Sequence, residues 1–493
     1  MTTPTPSDSQ LDRRILRGSG WVAVGYGGRN VATMLAILVL VRLVEPEAFG
    51  LVALAWVALA VAFELEGAGI GAALVYHRGS LAKATASAFV FALAAGAAVY
   101  GVVFAVAPLL AAAFETPALT DVLRVLALVL VLRSFGTVPS ALLEREIDFR
   151  SRAKAEVTGA LVQVGVSIGL AAAGHGVWSL VLGQLAGSAV QTGLYWLFVS
   201  WRPSLRLASL ATARELFRYG RFVSATNVVN IANNSVDNIV LGRLLGPALL
   251  GIYAVAFRLA DFPNSVIGHV VGGPMFAVST MLRDERERLL RAYVQNLQRV
   301  ALFALPVSIG LAVATEPIVL VLLGEEWRAA VTPLRILAIY GLIKSLVAPS
   351  GDIFKGVGRP QLGLVFGGAQ FVVSVVALLV LAPAYELAGA AGAMLLALIA
   401  CGVVRLAWSL RLLGGSLAEL GRALAPSLLC GAVLAVTLAS LSPAVESLGA
   451  VPELALLTVA GVVAYVVATA LFARSVVAPM WGGWRGVSPG AAR

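Results

Sequence analysis

Apolar residues in this chain run nearly unbroken for about twenty positions at a time, the length a helix needs to cross a hydrocarbon core. The runs predict about fourteen membrane helices, at 20–41, 49–74, 84–110, 118–139, 155–173, 178–199, 217–241, 249–275, 292–314, 331–349, 361–381, 388–410, 423–441 and 454–473. The first run continues from Trp21 to Val41, too long for the apolar part of a cleaved leader, so it is expected to remain as a helix despite Arg13, Arg14 and Arg17 ahead of it. No long polar stretch is left for a soluble domain. The reading is all-α and integral to the membrane.

Composition agrees. Of 493 residues, 59% are hydrophobic and 13% charged, against about half and a quarter in soluble domains. A formal charge of +10 would suit a nucleic-acid binder, but the positions of the charges argue otherwise. With the N-terminus in the cytoplasm, every second connection carries the bases: Arg78 and Lys83; Arg145, Arg150, Arg152 and Lys154; Arg202, Arg206, Arg214 and Arg218; Arg283, Arg286, Arg288 and Arg291. The other connections hold few bases (Arg42, Arg243, Arg328) beside acids such as Glu47, Glu115, Glu326 and Glu446. That alternation is the positive-inside pattern, so no nucleic acid is expected and both termini are placed in the cytoplasm. The charged stretch Met281–Arg291 is expected to be an amphipathic cytoplasmic helix. Cys401 and Cys430 each lie in an apolar run, and His77, His175 and His269 lack ligand spacing. No metal site, disulfide framework or catalytic constellation is expected, which speaks against an enzyme.

The chain also repeats itself. Arg42-Leu43-Val44-Glu45-Pro46-Glu47-Ala48-Phe49-Gly50 after the first helix answers Arg243-Leu244-Leu245-Gly246-Pro247-Ala248-Leu249-Leu250-Gly251 after the seventh. Leu123-Arg124-Val125-Leu126-Ala127, Arg133-Ser134 and Pro139-Ser140 answer Leu334-Arg335-Ile336-Leu337-Ala338, Lys344-Ser345 and Pro349-Ser350 in the same order. Repeats six helices apart run the same way across the membrane, which predicts two parallel lobes around a central cavity. The predicted division is a cytoplasmic tail 1–19, an N-lobe 20–200 of helices one to six, a cytoplasmic linker 201–216, a C-lobe 217–410 of helices seven to twelve, two extra helices within 411–473, and a cytoplasmic tail 474–493. The Arg-Leu-x-x-Pro-x-x-x-Gly segments read as tight turns between antiparallel helices, or else as outer-mouth contacts through Arg42 and Arg243.

With its paired Arg-Leu-x-x-Pro-x-x-x-Gly turns, Asp237 with Leu241-Gly242, and Pro139 through Arg145-x-x-x-Phe149-Arg150, the chain resembles bacterial polysaccharide exporters. These are the lipid-linked oligosaccharide flippases of the multidrug/oligosaccharidyl-lipid/polysaccharide exporter superfamily. The resemblance covers roughly residues 15–410. It implies movement of undecaprenyl-diphosphate-linked repeat units from the inner to the outer leaflet of the bacterial cell membrane by alternating access. It also implies no cofactor, an ion gradient or membrane potential as the driving force, and polysaccharide polymerases and glycosyltransferases as partners beside the membrane lipids. No nucleotide-binding Gly-x-x-x-x-Gly-Lys-Ser/Thr loop occurs.

Charges at bilayer depth cost about 2.5–3.5 kcal/mol each on insertion scales, so they face a cavity or a partner. The candidate substrate-binding residues are Arg29 and Asn30 on helix one, Glu64 on helix two, Arg124 on helix four, Asn230, Asn234 and Asp237 on helix seven, Arg258 and Asp261 on helix eight, and Arg335 on helix ten. Cations lead this set, and guanidinium forks match phosphate oxygens. Structural pairing of Arg29 with Glu64, or of Arg258 with Asp261, is the competing reading, as is snorkelling of Arg124 and Arg335. Two other functions stay open. A cation-coupled multidrug exporter would need carboxylates leading the cavity, where helix one has Arg29. A non-transporting scaffold of a polysaccharide-synthesis complex would have no use for intramembrane charge.

Overall fold

The computed structural model describes residues 25–474 except 26, 68–73, 75–79, 147, 210, 215–230, 232–234 and 268–274. Among these residues there are helices and turns but no strand. Nine helices among the described residues are long and apolar enough to cross a membrane. Two compact units divide the chain, one up to Ala254 and one from Val255 onward.

In the first unit α1 is Gly27–Leu40, α2 Pro46–Gly67, α3 Leu81–Ala113, α4 Leu119–Leu126 and α5 Leu128–Arg145. After them come α6 Phe149–Ala172, α7 Val177–Phe198, α8 at 235–244 and the start of α9, Gly246–Ile267. Helices α4 and α5 together make the expected fourth span, interrupted only at Ala127. Asp148 caps α6 by accepting the Ser151 amide at 3.1 Å. Helices α6 and α7 pack as a hairpin, and α3 packs on α5. The core of this unit gathers Phe89, Val138, Leu142, Leu143 and Tyr195.

The two matching proline turns of the sequence meet in this unit. A Cβ built on Gly50 would overlap the Pro247 carbonyl and lie 3.0 Å from Gly251 N. One built on Gly251 would overlap the Pro46 carbonyl and lie 2.9 Å from Gly50 N. The starts of α2 and α9 therefore cross with their backbones in contact, the approach that small residues permit between membrane helices.

The second unit holds the rest of α9, then α10 Met275–Met281, α11 Arg286–Val313, α12 Val331–Val347, α13 Ser350–Gly356, α14 Pro360–Leu412, α15 Leu417–Val445 and α16 Ala450–Phe472. Ser416 caps α15 by accepting the Glu419 amide at 3.2 Å, in a Ser-x-x-Glu sequence. The core runs through Leu289, Tyr293, Leu297, Ile353 and Leu420. The expected separate amphipathic helix over Met281–Arg291 does not form. A turn at 282–284 leads instead into α11, which carries Arg286, Arg288 and Arg291 as the first turns of a spanning helix.

Helix α14 counts 53 residues, which as one straight rod would measure about 80 Å, far beyond a hydrocarbon core of about 30 Å. The rod is broken at Glu386, with φ 48° and ψ −127°. A Cβ on Gly389 would overlap the carbonyl of Leu381, although eight residues in a straight helix span about 12 Å. The chain doubles back here, between the expected spans 361–381 and 388–410. Gly176, ahead of α7 in the first unit, has nearly the same dihedrals, φ 50° and ψ −127°. Both match the first central position of a type II′ turn, where glycine is the ordinary occupant.

Candidate functional site

Each unit sets a cation and a carboxylate near each other on apolar helices. In the first, the end of α2 brings Glu66 against α5. Glu66 is 2% exposed. Its Oε1 lies 2.9 Å from Ser134 Oγ, which also lies 2.8 Å from the Leu130 carbonyl. The neighbouring Arg133 sets its guanidinium carbon 4.3 Å from the centroid of the Phe63 ring on α2. In the second unit Lys344 of α12 donates to Asp261 of α9 at 2.9 Å. The same ammonium lies 5.5 Å from the Phe257 ring and 5.7 Å from the Tyr340 ring. Arg133 and Lys344 hold matching places in the sequence repeat, and each meets an aromatic ring and works beside an acid.

The residues singled out from sequence fall as follows. Arg29 is exposed on α1, and the amide nitrogen of Asn30 beside it is buried without a hydrogen-bond partner. Glu64 is half-buried on α2. Arg124 is held by α3: its Nε donates to the Phe104 carbonyl at 3.3 Å and its guanidinium stacks 4.2 Å from that ring's centroid. Asp237 is buried and accepts the Tyr253 hydroxyl at 3.1 Å. Arg258 and Arg335 are exposed on α9 and α12. Asn230 and Asn234 lie outside the described residues. Arg243, read as a turn residue or an outer-mouth contact, pairs with Glu115 at 2.9 Å. Glu115 itself sits at φ 54°.

Sequence reasoning passed over three groups. Glu66 stood beside the more obvious Glu64. Tyr293 is fully buried on α11 and hydrogen-bonded to Ser350 at 2.9 Å and Ser409 at 3.0 Å. Arg405 on α14 has a buried Nε without a hydrogen-bond partner. Ser134 and Ser350 both belong to the repeated motifs, and that was the available signal: a small polar residue recurring in apolar helices marks a hydrogen bond between them.

Long apolar helices that carry a few paired and aromatic-backed charges make this a multi-pass membrane protein. The fold is like that of a solved lipid II flippase MurJ in an inward closed conformation, with TM-score 0.71 and 15% identity over 91% of this chain and 99% of that one. It is also like an inward-facing multidrug resistance MATE family transporter of the MOP superfamily, with TM-score 0.62 and 17% identity over 81% and 96%. Residues 39–332 match the family described as polysaccharide biosynthesis protein. Similar curated proteins include the lipopolysaccharide biosynthesis protein WzxC of Escherichia coli (24% identical, 72% of this chain and 73% of that protein). The succinoglycan biosynthesis transport protein ExoT of Rhizobium meliloti is 29% identical over 72% and 71%. The chain belongs to the polysaccharide biosynthesis protein family, as the sequence resemblance implied.

Proposed function

We propose that this protein moves an undecaprenyl-diphosphate-linked oligosaccharide from the inner to the outer leaflet of a bacterial cell membrane, for surface polysaccharide biosynthesis. The observation that carries the reading is the placing of cations on apolar helices: Arg29 on α1, Arg133 on α5 and Lys344 on α12. Such charges are costly in lipid, and forked guanidinium donors suit the diphosphate that links sugar to lipid. No covalent chemistry is required. About fourteen spans in two parallel six-helix repeats, with both termini cytoplasmic, fit the loop charges, and glycosyltransferases and a polymerase would work beside it. Reporter fusions after Arg150 and Arg288 should read cytoplasm, and fusions near Glu326 and Glu446 the outside.

Export of cationic drugs would need open carboxylates. Glu66 is 2% exposed, and Asp261 already receives Lys344. The test compares Arg29→Ala with Arg29→Ala/Glu64→Ala, measuring surface polysaccharide and membrane abundance. A ligand arginine predicts lost export at normal abundance in both variants. Recovery of export in the double variant would make Arg29 half of a structural pair and remove it from the site.

A further inference from the structure

The Pro-Ser pair of the sequence repeat takes two different structures. In the first copy Pro139 and Ser140 lie inside α5, which continues through them. Ser140 Oγ donates to the Thr137 carbonyl of its own helix at 3.0 Å. In the second copy the helix is interrupted at Ala348 and Pro349, between α12 and α13. The backbone bonds there tighten to three-residue turns, Gly351 N to the Ala348 carbonyl and Asp352 N to the Pro349 carbonyl, each 3.1 Å. A proline at such a turn, with a glycine just beyond it, is where a helix bends.

Ser350, the first residue of α13, is held by two other helices. Ser409 Oγ on α14 lies 2.7 Å from the Leu406 carbonyl, which can only accept, so its single proton is used there. Tyr293 of α11 therefore donates to Ser409 at 3.0 Å, and Ser350 donates to Tyr293 at 2.9 Å. All three side chains are fully buried. Helix α10 is fastened to α13 as well: Ser279 Oγ lies 3.1 Å from the Asp352 carbonyl, and a Cβ on Gly356 would overlap that hydroxyl. The two short helices form one piece.

A different setting of α13 has a contact of its own to gain. The opposite charges acting on Asp352 are Lys355, on the same short helix, and Arg405 of α14. Arg405 rests on α13, where a Cβ on Gly351 would lie 2.6 Å from its Nη2, yet its Nε is buried without a hydrogen-bond partner. Asp352 and Arg405 form no ion pair with each other in the present setting. A buried donor and a carboxylate one residue along from the backbone it touches are thus both left unmet, which is uncommon in a packed interior.

We propose that α13 is a hinged latch that turns about Pro349 between two settings, one held by Tyr293 on Ser350 and Ser409, the other by Asp352 on Arg405, and that it carries α10 with it. In the setting described here Ile353 and Phe354 are fully buried. In the other the hydroxyl chain is broken and this end of the second unit opens. Each setting has contacts that the other lacks, as a two-state element requires. The latch does not depend on what the protein carries.

The experiment uses the full-length protein with Ile353→Cys and Cys401→Ala, and native Cys430, buried on α15, serves as the internal control. Labelling by a small water-soluble maleimide is timed at both positions in broken membranes, where both faces are accessible. Tyr293→Phe keeps the ring but removes both hydroxyl contacts, and should raise the rate at 353 about tenfold, the shift that the loss of such hydrogen bonds gives a two-state equilibrium. Cys430 should stay as slow as before. Ser409→Ala, which spares the Tyr293–Ser350 bond, should raise the rate at 353 less. Adding Asp352→Asn to Tyr293→Phe removes the competing contact and should return labelling toward the parent. No rise in Tyr293→Phe, an equal rise at Cys430, or a rise that Asp352→Asn leaves intact overturns the proposal. These rates are read without cargo, so a protein that proves to move no lipid-linked sugar leaves the latch standing and removes only the flippase reading.

Discussion

Gly50 and Gly251 each occupy the space against which the other helix's proline carbonyl rests, Gly50 under Pro247 and Gly251 under Pro46. The relation is reciprocal: the same two positions of the repeated turn serve as bump and hollow at once. Proline sets the start of each helix and removes an amide that would have no partner there. Glycine four residues later makes the crossing possible.

Alanine at either glycine should therefore be costly. Overpacking costs about 1–3 kcal/mol where side chains can yield, and here the obstacle is backbone. Gly50→Ala and Gly251→Ala should each lower membrane abundance and the melting temperature of detergent-purified protein. Because each added methyl meets the opposite backbone rather than the other methyl, the double variant should be worse than either single one. Rescue in the double variant would contradict this geometry.

The Arg243–Glu115 pair should matter little for stability. Both side chains are more than half exposed, and exposed pairs contribute about 0–1 kcal/mol. Arg243→Ala should keep abundance and export near wild type. Lost export at normal abundance would instead support the outer-mouth reading of Arg243.

Asp261 and Lys344 form a closer test of charge inside the membrane. Their side chains are 28% and 24% exposed, so breaking the pair should cost less than the about 3–5 kcal/mol of a fully buried one. Asp261→Ala takes the carboxylate from the ammonium and should reduce abundance. Asp261→Ala/Lys344→Met should recover much of it, measured by quantitative blotting of membranes.

Glu386 adopts a backbone conformation that suits glycine, at a cost of about 1–3 kcal/mol for a non-glycine residue. Glu386→Gly should raise the melting temperature, reduced somewhat by the greater unfolded-state freedom of glycine. Gly176→Ala, at nearly the same dihedrals in the first unit, should lower it. Opposite signs are the expected signature.

Much of the architecture was legible because lipid leaves few options: long apolar runs become helices, and the break between 381 and 388 falls where Glu386 turns the chain. The proline turns were legible as turns, yet nothing in one linear copy says that Gly50 would meet Gly251. Side-chain partners were harder to read. Arg124 reads from sequence as a candidate substrate ligand or a group snorkelling to the interface, and Phe104 supplies both a carbonyl and a ring within its reach. Glu66 escaped notice because it and Glu64, two residues apart on α2, point about 200° from each other, and the apolar sequence around them does not say which one finds a hydroxyl. The start of α11 was misread for a related reason. Dense charge suggested a surface helix, whereas a turn at 282–284 makes it the wet end of a spanning one.

The corner at Glu386 also bears on how the chain is made. A loop of several residues lets one helix settle in the membrane before its successor arrives, but a reversal within Leu381–Gly389 has no slack. The two arms of α14 are therefore expected to enter the membrane as a single hairpin. Extending that corner by a few flexible residues would then alter the order of assembly during synthesis without touching any residue that meets the cargo.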